Sequence, residues 1–201
     1  MKILLTGFEP FLDYSENSSW VVAEQVATRG VVGCDVVVEQ LPVSFMRVGG
    51  ALRKAVEEHK PDVVVMLGQA GNSDSVRLER VALNLMDATN ADNDGYMPNE
   101  ESISPDAPAA LFTTMPIKRL RSAIEAAGVG VKISNSAGLY VCNRLYFEAL
   151  TLCLKRPSMR AIFVHLPLYE GQPSAKINKP TMPLEAMIKA IQTIIEDIKN
   201  D

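Results

Sequence analysis

Cysteine and histidine are the side chains of this sequence best suited to nucleophilic catalysis, and both are scarce. There are three cysteines, Cys34, Cys142 and Cys153, and two histidines, His59 and His165. A cysteine nucleophile needs a nearby base, a group that orients this base, and N–H donors for the charge that develops on the attacked oxygen. The fold must therefore bring one thiol and one imidazole together.

Cys142 has the most favourable local context of the three thiols. It follows a predicted strand and the small-residue turn at 135–138, and it lies near the start of a predicted helix. The N–H groups and the dipole of a helix N-terminus favour a thiolate. Most cysteines are structural and buried; Cys153, on an apolar helical face, fits that description, and Cys34, in a glycine-rich connection, has no activating neighbour. We expect Cys142 to be the nucleophile.

His165 is the better of the two candidate bases. It closes the apolar run AIFVHLP at 161–167, where a polar side chain is costly unless it has a partner. His59 ends a charged helical segment, and a cation at that position is explained by capping of the helix C-terminus. A satisfied structural histidine is the common case, but the predicted strand end and the candidate thiol favour a catalytic role for His165.

An acidic residue would complete the site, and the residues alone do not single one out. Glu79 lies in RLERVALN (77–84), which has the pattern of a strand flanked by charges. Its carboxylate could orient His165, or it could pair with Arg77 or Arg80 at the surface. Other acids fit the orienting role equally well on this information.

Short Val/Ile/Leu runs alternate with helical patterns along the chain. The predicted strands cover residues 2–7, 35–43, 62–67, 131–134 and 161–167, and the predicted helices cover 19–28, 44–59, 117–128, 139–156 and 183–199. Continuous apolar strands are typical of sheets buried on both faces. The alternation predicts one α/β domain over residues 1–201, with three layers and a largely parallel, twisted central sheet flanked by helices. Its active site is expected beyond the carboxyl ends of the strands.

Residues 89–116 do not fit this alternation. The segment is rich in Asn, Asp, Pro and Ser, and loops of this length inside a compact domain are usually functional or disordered. We expect a long loop that covers the substrate, with a plain surface excursion as the alternative.

Composition argues against several classes of function. The net charge of -4 over 201 residues gives no general attraction to nucleic acid or to anionic membranes. No apolar stretch approaches the ~20 residues needed to cross a bilayer, and the N-terminus lacks the pattern of a signal peptide. The cysteines form no CxxC pair, and the presence of only two histidines argues against a zinc site. We expect a reduced, cytoplasmic protein without a bound metal.

Four blocks of the sequence resemble the pyroglutamyl peptidase I (pyrrolidone carboxyl peptidase) family of cysteine peptidases. They stand in the family's order: TGFEPF (6–11) with NSSW (17–20), LGQAG (67–71) with LERVALN (78–84), SNSAGLYVCN (134–143), and FVHLP (163–167). The resemblance implies a triad of Glu79, Cys142 and His165 that removes N-terminal pyroglutamate (5-oxoproline) from peptides through a thiol acyl-enzyme. It also implies that no cofactor is needed and that the chain forms a homo-oligomer, a dimer or a tetramer.

The same resemblance implies a substrate pocket for the small, flat lactam ring. Phe8 and Phe11 match the family's aromatic walls, with ordinary core residues as the alternative. Gln69 could hydrogen-bond the lactam edge or line the oxyanion site. Asn17 matches a family asparagine, although it could equally cap the following helix. Tyr140 stands where the family commonly has Phe.

Several positions depart from the family pattern, and none of them belongs to the triad. The chain lacks the paired glycines after the first block, the proline of Asn-Pro-Ser-Trp, the threonine of an LPT-like stretch, and an arginine with an apolar residue after the second block. Leu12 and Asp13 replace the glycines, Ser18 replaces the proline, and Val43 replaces the threonine. Thr89 and Asn90 replace the arginine and the apolar residue. These changes bear on pocket shape, specificity and rate.

Three alternative functions follow from these observations. The same Cys-His-Glu chemistry could act on another N-terminal acyl group, or the chain could bind N-terminally blocked peptides without turnover. An intact set of Cys142, His165 and Glu79 argues against the second of these. A nucleotide-binding α/β domain is the third, but TGFEPF and LGQAGN match neither GxGxxG nor the P-loop.

Overall fold

A six-stranded sheet with helices on both faces forms the centre of the computed structural model, which describes residues 1–173 and 178–200. The strands are β1 (Lys2–Phe8), β2 (Asp35–Leu41), β3 (Val63–Gln69), β4 (Val76–Glu79), β5 (Val81–Leu83), β6 (Ala110–Phe112), β7 (Val131–Ser134), β8 (Arg160–Leu166), β9 (Leu168–Tyr169) and β10 (Thr181–Met182). The helices are α1 (Ser18–Arg29), α2 (Val48–His59), α3 (Ile117–Ala126), α4 (Val141–Lys155) and α5 (Leu184–Lys199).

The strand order of the sheet is β2-β1-β3-β8-β4-β7. Strands β2, β1, β3 and β8 run parallel to one another, whereas β4 is antiparallel to β8 and parallel to β7. The predicted α/β fold with a largely parallel sheet is therefore confirmed. Strands β4 and β7 run in the opposite direction to the other four, which matters for the site described below.

Apolar side chains fill the space on both faces of the sheet and explain the continuous hydrophobic strands. Helices α1, α3 and α5 pack on one face, and α2 and α4 pack on the other. The strands contribute to both layers by alternation: Ile3 and Leu5 face the first layer, and Leu4 faces the second. Of the described helices, none is long and apolar enough to cross a membrane.

Two predicted elements at the start of the chain are shorter than expected. Strand β2 ends at Leu41 rather than at residue 43, because Pro42 has no N–H to continue the ladder. Helix α2 begins at Val48 rather than at residue 44. The residues between form a turn in which the Phe45 amide donates to Asp92 Oδ2 at 2.8 Å and the Arg47 amide donates to Ser44 Oγ at 3.1 Å.

The segment around residues 77–116 also differs from the prediction. The single strand expected at 77–84 is two strands, β4 and β5, with Arg80 between them. The expected loop at 89–116 contains β6, which pairs antiparallel with β5, and an isolated bridge joins Met86 to Glu101. Strand β6 has only three residues, too few for a periodic pattern to be visible among the surrounding Pro, Asn and Asp.

We expect Gly7→Ala to destabilise the fold by about 2 kcal/mol, because extra volume in a tightly packed position strains its neighbours. A Cβ at Gly7 would lie 2.6 Å from Trp20 Cα and 2.7 Å from Ser19 O, which are backbone atoms of α1. Chemical denaturation measures the change in the free energy of unfolding.

The matched control is Gly50→Ala in α2. There the nearest atom to the new Cβ is Arg53 Nη2 at 3.8 Å, and alanine is favoured over glycine in a helix by about 0.5–1 kcal/mol. Equal effects of the two substitutions would contradict the close approach of β1 and α1.

Candidate active site

Cys142 is the second residue of α4 and is half-buried. After β7 the chain turns through Gly138, whose φ of 78° lies in the left-handed region that glycine adopts without strain. The Gly138 amide donates to Ser136 Oγ at 3.2 Å, and Ser134 Oγ donates to Ser136 O at 3.1 Å. The predicted turn-then-helix context of the thiol is present, and the first N–H groups of α4 have no acceptor within the helix.

Asn143 attaches the start of α4 to the neighbouring strand β5. Its side chain is fully buried; Nδ2 donates to Leu83 O and to Leu85 O, both at 2.9 Å, and Oδ1 accepts from the Leu83 amide at 2.8 Å. These three bonds use both donor hydrogens and the oxygen of the side-chain amide, and they fix the residue next to Cys142. The position of the thiol therefore depends on a side chain that the sequence does not single out.

The thiol lies over Gly68 of β3, where only a glycine leaves room for it. A Cβ at this position would lie 3.1 Å from Cys142 Sγ and 2.7 Å from Phe163 Cζ. In the sheet, Gly68 is the register partner of His165 on β8. Because Gly68 has no side chain, the thiol and the imidazole can lie close together over β3.

Glu79 and His165 form a buried pair across β4 and β8. His165 Nδ1 and Glu79 Oε1 are 2.8 Å apart, and Glu79 has no exposed surface. Glu79 faces Phe163 in the antiparallel register and is diagonal to His165 on the same face of the sheet. Of the partners that the sequence left open, the structure pairs Glu79 with His165 and not with an arginine at the surface.

The imidazole of His165 is held in its charged form by its neighbours. Burial alone lowers the pKa of His165, but hydrogen bonding and charge interactions with Cys142 and Glu79 outweigh it and raise the pKa to about 9. Because this pKa exceeds the ordinary value of 6.5, the protonated imidazole contributes to the free energy of unfolding. This contribution is complete below pH 6.5 and is lost as the pH rises through about 9. With Nδ1 bonded to Glu79, Nε2 is the nitrogen left for the thiol.

The other histidine has a different environment. His59 Nε2 lies 2.8 Å from Glu39 Oε1 at the end of α2. The structure therefore pairs His59 with a carboxylate of β2, whereas the sequence suggested capping of the helix C-terminus.

An apolar cavity opens beside the thiol, at the carboxyl ends of β1 and β3. All five residues predicted to contact substrate line it together with Cys142 and two valines: Phe8, Phe11, Asn17, Val43, Gln69, Tyr140, Val141 and Cys142. The fold thus gathers residues that are up to 134 positions apart in the chain, from Phe8 to Cys142. Aromatic and aliphatic walls with few polar groups are typical of small-molecule pockets.

Gln69 presents a fixed hydrogen-bond donor at this cavity. Its Oε1 accepts from the Ser18 amide at 2.9 Å and from Gln172 Nε2 at 2.7 Å. A backbone amide can only donate, so the atom facing Ser18 is the oxygen. In the described part of the chain, the buried Nε2 has no acceptor. A buried N–H without a partner is costly, which favours a ligand oxygen as its acceptor.

Asn17 and Tyr140 have structural roles in addition to lining the cavity. Asn17 caps α1: Oδ1 accepts from the Ser19 amide at 3.1 Å, and Nδ2 donates to Glu9 O at 3.0 Å. Tyr140 donates its hydroxyl to Ala91 O at 2.9 Å. Burial, with smaller contributions from nearby negative charge, raises the pKa of Tyr140 to about 12, so the hydroxyl remains a donor.

Three residues that shape this site are not among those predicted from the sequence. Gly68 was detectable in principle, as a glycine within a continuous apolar strand often marks a close approach. Asn143 adjoins the candidate nucleophile, but nothing in its spacing indicates three backbone bonds. Gln172 lies in a loop about a hundred residues beyond Gln69, and no local pattern connects the two.

Comparison with known proteins identifies the family. A family model described as pyroglutamyl peptidase matches residues 1–201. The chain belongs to the pyroglutamyl peptidase family. The pyrrolidone-carboxylate peptidase of Gloeobacter violaceus is 38% identical over 201 residues, covering 100% of this chain and 98% of the relative. That of Thermococcus onnurineus is 40% identical over 197 residues, covering 98% of each.

Solved structures of this pyroglutamyl peptidase family share the fold. The pyrrolidone carboxyl peptidase from Thermococcus litoralis superposes with a TM-score of 0.92 at 36% identity, covering 97% of this chain and 91% of that one. Pyroglutamyl peptidase I of Bacillus amyloliquefaciens gives a TM-score of 0.91 at 34% identity, covering 96% and 94%. The resemblance inferred from the four sequence blocks is confirmed.

We expect Glu79→Gln to lower the pKa of His165 by roughly 1–3 pH units, because the substitution removes a buried negative charge beside the imidazolium. The sequence has only two histidines, so NMR titration of the imidazole signals resolves both. The control is Glu39→Gln, which removes the carboxylate beside His59 and should leave His165 unchanged. An unaltered His165 titration in Glu79→Gln would contradict the proposed origin of the raised pKa.

Proposed function

We propose that this chain is a cysteine exopeptidase that removes N-terminal pyroglutamate from peptides, with Cys142 as nucleophile, His165 as acid and base, and Glu79 as the group that orients His165. The observation that carries the proposal is the Glu79–His165 hydrogen bond of 2.8 Å beside a thiol at a helix N-terminus. This combination supplies the nucleophile, base and orienting acid that thiol acyl transfer requires.

In the first step the Cys142 thiolate attacks the carbonyl carbon of the pyroglutamyl group. The carbonyl oxygen becomes an oxyanion, for which the N–H groups at the start of α4, which have no acceptor within the helix, are suitable donors. The imidazolium of His165 gives its proton to the leaving nitrogen as the C–N bond breaks. The products are a free amine on the shortened peptide and a thioester between Cys142 and the pyroglutamyl group.

In the second step a water molecule hydrolyses this thioester. Neutral His165 takes a proton from the water as the oxygen attacks the acyl carbon, and the C–S bond breaks to restore the thiolate. Glu79 keeps Nδ1 of the imidazole occupied throughout, so Nε2 is the atom that exchanges protons. Neither step needs a metal or an organic cofactor.

The apolar cavity suits the acyl part of this substrate. Phe8, Phe11 and Tyr140 supply aromatic surface for a flat, uncharged ring, and Gln69 Nε2 supplies a donor for an oxygen of the pyroglutamyl group. Asn17 completes the wall while it caps α1.

The departures from the family pattern are distributed in a way that favours pyroglutamate over a different acyl group. Of these departures, Val43 and Tyr140 line the cavity beside the thiol, and Tyr140 keeps an aromatic ring there. Thr89 and Asn90 line a separate cavity with Leu12, on the far side of Phe11 and Tyr140. A change of acyl specificity would have to act through Val43 or through the shared aromatic walls.

The proposal also includes a cytoplasmic location, where thiols stay reduced, and a homo-oligomeric state. The mechanism requires a free thiol, which the cytoplasm maintains, and Cys34, Cys142 and Cys153 are all unpaired. The family resemblance implies a homo-oligomer, and the exposed apolar side chains of Val32, Met46 and Phe112 are candidates for its interface. Light scattering gives its mass; a monomer at all concentrations would contradict self-association.

We expect Cys142→Ser to lower the release of a fluorescent amine from a pyroglutamyl amide by roughly 10³-fold or more, because the nucleophile is lost. Wild-type activity should fall as the pH rises through about 9, where His165 loses its proton. The control is Cys34→Ser, which removes a thiol outside the site and should retain full activity. A wild-type protein without turnover, or a Cys142→Ser variant within about tenfold of it, would contradict the proposal.

A further inference from the structure

A second cavity adjoins the thiol and shares Phe11, Gln69 and Tyr140 with the apolar cavity described above. Its lining includes Cys142, His165, the small-residue turn at 136–138 and Arg77 of β4. His165 lines this cavity and not the aromatic one. The two cavities are therefore continuous beside the thiol, and the second extends toward His165 and Arg77.

The position of the imidazole assigns the two cavities to the two halves of a substrate. The leaving nitrogen must accept its proton from His165, so it must lie on the side of His165. If the acyl ring occupies the apolar cavity, the residue that follows the cleaved bond enters the cavity lined by Arg77. This assignment rests on the proposed peptidase function.

Arg77 is beside His165 in the sheet. The two are direct register partners in the antiparallel pair of β4 and β8, so their side chains leave the same face. The side chain of Arg77 is half-buried, and its Nε donates to Ser73 Oγ at 3.0 Å. A guanidinium has five N–H donors, so this bond leaves the terminal nitrogens available.

No carboxylate of the described residues forms an ion pair with Arg77. The acid nearest in the turn, Asp74, pairs with Lys132 at 2.9 Å. Among the described residues that line the second cavity, Arg77 is the one side chain with a permanent charge. A guanidinium that partly lines a cavity and has no carboxylate partner is suited to bidentate recognition of a carboxylate.

We propose that Arg77 is a specificity-determining residue that favours pyroglutamyl substrates with a carboxylate next to the cleaved bond. This carboxylate is either the side chain of an acidic second residue or the free α-carboxylate of a pyroglutamyl dipeptide. Because Arg77 is only half-buried, the advantage is moderate, roughly three- to tenfold in kcat/KM, and it declines as salt screens the charge.

Two matched pairs of peptides distinguish the two sources of carboxylate. Pyroglutamyl-Glu-amide against pyroglutamyl-Gln-amide tests the side chain, and pyroglutamyl-Ala against pyroglutamyl-Ala-amide tests the terminus. For the wild type we expect the acidic member of at least one pair to be favoured. Arg77→Gln should bring that ratio close to one while cleavage of the neutral member continues, and Arg77→Lys should keep part of the preference.

Two further measurements separate a failure of this inference from a failure of the proposed function. Lys118→Gln makes the same change in net charge at an exposed position of α3 and should keep the wild-type ratio. The dissociation constants of the same four peptides with Cys142→Ser, and with Cys142→Ser combined with Arg77→Gln, report the carboxylate preference without turnover. Ratios near one in both pairs, in kcat/KM and in affinity, would overturn the inference, as would an unchanged preference in Arg77→Gln. Absence of cleavage with an Arg77-dependent affinity ratio would contradict only the peptidase function.

Discussion

The buried hydrogen bond between Glu79 and His165 is the interaction on which the rest of the site depends. A carboxylate without exposed surface is stable only with a compensating charge or with hydrogen bonds. Glu79 has one such bond, 2.8 Å long, to His165 Nδ1, and within the described part of the chain its other oxygen has no hydrogen-bond partner. The imidazole is therefore fixed in orientation and favoured in its charged form, which is the state that a thiolate needs beside it.

The topology of the sheet makes this pair possible. In an all-parallel sheet, side chains at the carboxyl ends of strands converge on one edge, but β4 runs antiparallel to β8. The antiparallel register places Glu79 opposite Phe163 and diagonal to His165, on the same face of the sheet. On the other side of β8, the absence of a side chain at Gly68 makes room for the thiol at the start of α4. Strand β4 thus orients the base on one side of β8, and β3 leaves space for the thiol on the other.

Sequence reasoning predicted most of the fold and the groups that the structure brings together, for physical reasons that are visible in the structure. Strands β1, β3 and β8 are buried on both faces, so their continuous apolar runs predict strands. Cys142 follows a turn and begins a helix, and this pattern indicates a candidate nucleophile. The role of Glu79 is ambiguous in the sequence because its partner is 86 residues away on an antiparallel strand, whereas Arg77 and Arg80 are close along the chain. The role of Gln172 could not be predicted, because only the folded chain brings its side chain to Gln69. The family resemblance, not periodicity, singled out Glu79.

Trapping of the acyl-enzyme tests the central claim, that Cys142 is acylated by the pyroglutamyl group, most directly. The protein is mixed with a pyroglutamyl amide, quenched in acid within one turnover, digested and examined by mass spectrometry. The account predicts an adduct with the mass of one pyroglutamyl group on the peptide that contains Cys142, and none on Cys34 or Cys153. Turnover without an adduct on Cys142, or an adduct confined to another residue, would contradict it.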